Sequence, residues 1–159
     1  MPDPIITLGG LTFSGVDPIT GARWIVPKNG LDGWWDSPAP VLSMAQRVRG
    51  HGAWVGDSFL TPRTVTISGV VEADTRAAVV ASLSRLHVAC SLAPTTLSVD
   101  DSGDTLTARV RRSDDVMVTW INDATARWSA QVLAADPRRM GAAITASTAL
   151  PSATGGLRI

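Results

Sequence analysis

The chain has 159 residues, 45% of them apolar and 18% charged, which excludes a disordered chain and suits one globular domain with its own core. Fourteen basic and 14 acidic residues give zero net charge, which excludes a strongly basic nucleic-acid-binding chain. Cys90 is the single cysteine, so no intrachain disulfide forms. The sequence shows no signal-peptide pattern and no apolar run of about 18 residues, so we expect folding in a cytoplasm and no membrane partner.

The first part of the chain reads as short strands separated by turns. Gly9-Gly10 interrupts the apolar run "IITLGGLTF" and predicts a hairpin. Asn29-Gly30 lies between two further apolar runs in "ARWIVPKNGLDGWW" and predicts a second hairpin. The segment "VLSMAQRV" (41–48) is a possible strand, and the glycine-rich "RGHGAWVGDSFLTP" (49–62), which has no periodicity, is predicted to be a long loop.

The middle of the chain gives the clearest strand and the one helix. In "RTVTISGVVEA" (63–73), Val65, Ile67 and Val71 share a face, and Gly69 indicates a bulge or a close backbone approach. The helix is predicted at about residues 74–90, with Asp74 as its N-cap. Its apolar stripe, which should pack on a sheet, consists of Val79, Leu83, Leu86 and Cys90.

Strands return after the helix, in "TTLSVD" (95–100), "TLTARVRR" (105–112), "VMVTWI" (116–121) and "ATARWSAQVLAADP" (124–137). In the last of these, one face carries Ala126, Trp128, Ala130, Val132 and Ala134. The predicted fold is therefore mainly β: an antiparallel β-sandwich or barrel-like sheet with one packed α-helix. We expect one domain at residues 1–145, followed by a tail or linker at 146–159.

The sequence offers few groups that could converge for catalysis or metal binding. His87 and Cys90 stand at i, i+3 on the helix, but two ligands do not complete a zinc site. The acidic "DDSGD" (100–104) lacks the spacing and closing glutamate of a calcium loop and is better explained as a hairpin turn. A Ser–His–Asp arrangement drawn from His51 and residues 57–58 lacks a nucleophile-elbow motif. We therefore expect no enzymatic activity, no metal and no cofactor.

The most distinctive stretch is "GLDGWWDSPAP" (30–40), with adjacent tryptophans Trp34 and Trp35. Neighbouring side chains on an extended chain point to opposite faces, so one ring can enter the core while the other faces out. The outward ring could stack on a sugar, as in a carbohydrate-binding β-sandwich module that also uses Trp54. It could equally contact another protein, since tryptophan is enriched at interface hot spots.

An ordered set of segments over residues 25–145 carries a resemblance. These are "GLDGWWDSP", "RGHGAW", "RTVTISGVVEA" leading into a helix, and "ATARWSAQVLAADPRRM". In this order they resemble the N-terminal domain of siphophage distal tail proteins, often described as minor tail proteins in phages of actinobacteria. Many members of that family also carry a second, galectin-like domain.

The resemblance implies a β-sandwich with a packed helix that forms a hexameric ring in the virion, at the tail tip, after assembly in the host cytoplasm. The ring would join the tail tube protein to the tail-tip hub protein and let the tape measure and then DNA pass through its lumen. An alternative is another ring-forming tail part, such as a tube or terminator protein. Only the position of the protein in the particle distinguishes this alternative from a distal tail ring.

A ring subunit needs surfaces that bind its neighbours, and three regions are the best candidates because tryptophan and arginine are enriched in such contacts. The first is the tryptophan pair with Asp36, and the second is the segment "RVRGHGAW" (47–54). The third is the arginine cluster at 109–112. The predicted interface residues are Trp34, Trp35, Asp36, Arg47, Arg49, His51, Trp54, Arg109, Arg111 and Arg112.

Overall fold

The computed structural model describes residues 3–146, in which the chain forms twelve strands and one helix. The first seven strands are β1 (Ile5–Leu8), β2 (Leu11–Thr12), β3 (Gly15–Val16), β4 (Arg23–Ile25), β5 (Leu31–Asp32), β6 (Pro40–Gln46) and β7 (Ala53–Leu60). The remaining elements are β8 (Arg63–Glu72), α1 (Arg76–Ala89), β9 (Thr95–Asp101), β10 (Asp104–Arg112), β11 (Met117–Asn122) and β12 (Thr125–Ala134).

Ten of these strands form one antiparallel sheet, in the order β2-β1-β9-β10-β12-β8-β4-β3, with β11 beside β12 and β5 beside β8. Only two residue pairs, Arg111 with Leu133 and Arg112 with Val132, join β10 to β12. The sheet curls into a half-barrel around the core. The predicted fold class, a mainly antiparallel β structure with one helix, is confirmed.

The longest pairing in the sheet, between β8 and β12, runs without interruption from Thr125 opposite Glu72 to Ala134 opposite Arg63. Both strands alternate in burial, so each sends every second side chain into the core. The predicted inward faces are confirmed, because Val65, Ile67, Val71 and the whole alternate set of β12 are buried.

Aromatic side chains fill the middle of this core. Trp24 and Trp128 meet edge to face with their ring centroids 5.4 Å apart, and Phe13 lies 5.3 Å from the first and 4.7 Å from the second. All three are buried, so the expectation that Trp128 belongs to the core is confirmed. Such ring pairs add about 0.5–1.5 kcal/mol each beyond the area they bury.

Helix α1 closes one side of the core through the predicted stripe, whose four members are all buried. The predicted N-cap is wrong by one residue. Thr75, not Asp74, has the extended backbone of a cap, and its hydroxyl accepts a hydrogen bond from the N–H of Ala78 at 3.3 Å. The helix therefore begins at Arg76.

The two glycine turns predicted in the first part of the chain have different outcomes. The first hairpin is confirmed, with Thr7 opposite Thr12 across Gly9-Gly10. The second is wrong: β4 and β5 do not pair with each other, but both pair with β8, one after the other. Between them, Gly30 lies so close to β8 that a Cβ would meet the carbonyl oxygen of Ser68, and this close approach explains the glycine.

Gly69, on β8, is likewise a site of close backbone approach. Its register with Trp128 on β12 is regular, so β8 has no bulge toward β12 at this position. A Cβ at Gly69 would meet the carbonyl oxygen of Ile25 on the neighbouring strand. Of the two explanations that the sequence left open, the close approach is the one observed.

No helix within residues 3–146 is long and apolar enough to cross a membrane. The predicted tail or linker falls mostly on residues 147–159, which lie outside the described part of the chain, so the domain boundary near residue 145 stays a prediction.

Candidate interaction site

The hairpin of β6 and β7 stands apart from the domain. Residues 40–60, called the arm below, form a two-stranded sheet whose strands pair only with each other. Every residue of the two strands is exposed except Ala53, which is half-buried. The arm nevertheless carries eight large exposed apolar side chains: Val41, Leu42, Met44, Val48, Trp54, Val55, Phe59 and Leu60. Exposed apolar surfaces of this kind are typical of interaction sites, so the arm is a candidate site.

Apolar side chains lie on both faces of the arm. Cross-strand partners share a face, so Val41 and Phe59 lie on one side. Met44 and Val55 lie on the other, beyond a register shift between Leu42 and Met44. A hairpin packed on its own domain would have one polar face, whereas this arm has none.

The prediction of a long loop at 49–62 is wrong, because residues 53–60 are strand β7. The prediction relied on the missing alternation between apolar and polar residues. That alternation arises when one face of a strand is buried and the other is exposed to solvent. Within residues 3–146 the arm buries neither face, and it carries apolar residues on both, so the pattern that reveals a strand is absent.

The tip of the arm brings together four predicted interface residues. Gly50 and Gly52 adopt positive φ angles of 104° and 93° in the turn that carries Arg47, Arg49 and His51. The guanidinium of Arg47 lies 4.6 Å from the ring centroid of Trp54, a cation–π contact across the hairpin. The tip is therefore cationic and aromatic.

The tryptophan pair lies just before the root of the arm, and its two rings have different surroundings. Trp34 is fully buried at 0% exposure, whereas Trp35 is 52% exposed. The guanidinium carbon of Arg139 lies 5.7 Å from the Trp34 centroid and 5.6 Å from that of Trp35, and an Arg139 N–H donates to the backbone oxygen of Trp34 at 3.1 Å. Trp35 is the outward ring.

The backbone before the pair requires glycine. Gly33 has a φ of 78°, and a Cβ there would meet the carbonyl oxygen of Thr64 on β8. This tight crossing places Trp34 under the sheet edge and Trp35 outside it.

A buried arginine fixes the root of the arm. Arg63 is only 6% exposed, and the two N–H groups of its Nη1 are shared among the carbonyl oxygens of Gly33 at 3.0 Å, Trp34 at 2.9 Å and Asp36. Its Nε donates to the carbonyl oxygen of Pro137 at 3.0 Å, just after β12. Burial lowers the pKa of Arg63, and the positive charge of Arg139 lowers it further, but an arginine stays protonated.

Arg63 ties together the segment that enters the arm, the segment that leaves it and the exit from β12. Sequence analysis missed Arg63, although a signal was present. Position 63 has the same parity as Val65 and Ile67, so it falls on the inward face of β8, where a charged residue needs several partners.

The structure brings two of the three predicted regions to opposite ends of the arm and leaves the third on the main sheet. Arg109 and Arg111 are exposed on β10, and Arg112 is half-buried. Their strand lies between β9 and β12 and makes no pairing with the arm. Whether any of the three regions is an interface stays a prediction.

Potentially reactive groups do not converge in the part of the chain described. Residues 3–146 contain no group of three or more His, Cys, Asp or Glu side chains that could hold a metal. Cys90 is buried in the core, and burial raises the pKa of its thiol to about 11. His87 is exposed and its Nδ1 lies 2.7 Å from the carbonyl oxygen of Leu83. The Asp17 carboxylate, buried beneath α1, pairs with Arg85.

Comparison with known proteins gives a likeness in fold. No family model and no curated protein sequence matches the chain. The fold is similar to the crystal structure of the SPP1 Dit (gp 19.1) protein, described as a paradigm of the hub adsorption apparatus in phages that infect Gram-positive bacteria. The TM-score is 0.62 at 11% sequence identity, over 89% of this chain and 53% of the other. This chain thus spans about half the length of that protein, and the likeness shows that the two share a fold.

Proposed function

We propose that the chain is a structural subunit of a phage tail, and that copies of it form a ring at the distal end of the tail tube. The arm is the observation that carries this proposal. Fully burying a large apolar side chain contributes about 1.5–3 kcal/mol, so the eight on the arm represent on the order of 10 kcal/mol that the isolated chain leaves unused. An arm that reaches from one copy to the next gains this energy in an assembly.

The fold likeness and the composition support the same role. The chain has the fold of a phage hub adsorption protein. Its zero net charge suits a conduit, because a strongly basic lumen would hold DNA by counterion release rather than let it slide. In this proposal the ring is hexameric, binds the tail tube protein on one side and the tail-tip hub protein on the other, and lets the tape measure and DNA pass.

The tryptophan geometry weakens the alternative of a carbohydrate-binding module. A stacking platform built on the pair needs both rings accessible, but Trp34 is buried. Trp35 is already covered on one side by Arg139. A tube or terminator protein, which also forms rings, remains an alternative. The position of the protein in the particle distinguishes it from a distal tail ring.

The test combines oligomeric state with position. Native mass spectrometry and negative-stain microscopy of the purified chain should show closed rings, and immunogold labelling should place the protein at the tail tip of virions. A chain that stays monomeric at millimolar concentration and is absent from virions would contradict the proposal. Immunogold label along the tube would indicate a tube protein instead, and label at the head-proximal end would indicate a terminator protein.

A matched pair of variants tests the arm itself. Val55→Asp places a charge on the arm, and Ile19→Asp places one on a similarly exposed apolar residue outside it. We expect the first to lower the fraction of assembled protein at least tenfold and the second to leave it unchanged, with wild-type unfolding midpoints for both. Equal assembly of the two variants would contradict the role of the arm.

A further inference from the structure

The outward face of helix α1 is unusual for a surface helix. At its centre, five exposed uncharged side chains recur at helical spacing: Ala77, Val80, Ala81, Ser84 and Val88. The exposed Arg76 and His87 lie along one border. Val88 is 79% exposed, and the exposed Leu92 follows just after the helix. A surface helix ordinarily presents charged side chains outward, and a helix that is apolar all round is a buried one. This face therefore lacks a cover within residues 3–146.

A depression adjoins the same face. The β1–β2 turn and the C-terminal half of α1 enclose a cavity of about 320 Å³, lined by Gly9, Gly10, Ser84 and Val88 among others. Gly9 lies tight against the backbone of Ala89, while Gly10 has nothing near the position of a Cβ. Small residues thus keep the floor of the depression open beside an apolar ridge.

We propose that the arm of one copy docks along the outward face of α1 of a second copy, a contact that rests on the proposed ring. Within residues 3–146 the arm is an apolar projection whose strands pair only with each other, and the depression beside α1 is a largely apolar recess that also includes Arg85. A contact between two different surfaces of identical subunits is head to tail, and such a contact generates a ring when the rotation between subunits closes.

Length and charge agree with this pairing. The eight residues of β7 span about 26 Å at ~3.3 Å each, and the 14 residues of α1 span about 21 Å at ~1.5 Å each. Asp57 is the only charged residue on the strands of the arm. The charged side chains of α1 are Arg76 and Arg85, and the helix has no acidic residue. Docking of the arm strands therefore brings Asp57 against arginines, and the cationic tip with Arg47 and Arg49 must lie beyond the helix.

Cross-linking between copies gives a direct test. We expect a mixture of Val55→Cys chains and Val88→Cys chains to form a disulfide-linked dimer under mild oxidation, while each variant alone does not. The native Cys90 is buried and stays out of the reaction. A control mixture pairs Val55→Cys with Ile121→Cys, an exposed position on β11. Preferential cross-linking to position 121 would move the docking site to the sheet and overturn the proposal.

A charge on the helix face separates this inference from the proposed function. Ala81→Glu suits an exposed helical position, so we expect a wild-type unfolding midpoint and at least a tenfold loss of assembled protein. Rings that form normally with Ala81→Glu overturn docking on α1 while the ring itself stands. A wild-type chain that stays monomeric at millimolar concentration and is absent from virions overturns both.

Discussion

Removing the Arg63 side chain should destabilise the fold far more than removing an exposed arginine such as Arg138. Arg63→Ala deletes three N–H donors, one on Nε and two on Nη1, that bond the carbonyl oxygens of Gly33, Trp34, Asp36 and Pro137. At about 1.5 kcal/mol for each charge-assisted donor, the free energy of unfolding should fall by about 4 kcal/mol. A domain of this size has about 5–15 kcal/mol in total, so the thermal midpoint should drop by roughly 8–16 °C.

The assay is urea unfolding followed by tryptophan fluorescence, with two further variants for comparison. Arg138→Ala removes an exposed arginine that pairs with Asp136 and should leave the midpoint unchanged. Arg63→Lys keeps the charge but cannot present the planar fork, so it should recover only part of the loss. If Arg63→Ala unfolds at the same urea concentration as Arg138→Ala, the account of Arg63 as the clamp of the root is wrong.

The remaining predictions concern the tryptophan pair, its glycine and the cysteine. Trp34→Ala should cost about 3–5 kcal/mol in a denaturant titration, whereas Trp35→Ala should cost under ~1 kcal/mol and instead lower assembly; equal losses of stability would contradict the assigned burial. Gly33→Ala should cost about 2–4 kcal/mol, since the new Cβ meets the carbonyl oxygen of Thr64 at a positive φ, and a wild-type midpoint would refute this. Burial raises the pKa of Cys90 from 9.0 to about 11, so the folded chain binds the thiol proton more tightly than the unfolded chain. The free energy of unfolding should then fall between pH 9 and 11, and Cys90→Ala should lack that slope in thermal melts.

The core strands and the helix could be predicted from sequence because their burial follows a simple period. β8 and β12 alternate strictly, and the buried stripe of α1 recurs at helical spacing. The one-residue error at the N-cap reflects two adjacent capping residues, Asp74 and Thr75, between which only the backbone conformation decides.

Two errors have a common physical origin. The hairpin predicted at Asn29-Gly30 and the loop predicted at 49–62 both came from local composition. In the structure, β8 provides the pairing edge for β4 and β5, and no described segment of the chain covers the arm. Strand pairing is a long-range property, and composition in a window of a dozen residues does not contain it.

The candidate site divides in the same way. Residues 34–36 and 47–54 could be selected as interface candidates from their residue types. Alternation along an extended chain predicted one inward and one outward tryptophan. Which ring is outward depends on the tight crossing of Gly33 over β8, and the role of Arg63 depends on carbonyl groups that come from residues 33–36 and 137.

By itself, the sequence determined the fold class, the helix, the inward faces of the long strands and the poverty of reactive groups. All four follow from residue type and short-range period. Only the tertiary structure decided that residues 40–60 form a free arm with two apolar faces, that Trp35 is the exposed ring, and that Arg63 ties the arm to the sheet. These features depend on which distant segments meet, because the residues that bury these side chains and accept their hydrogen bonds are far apart in the sequence.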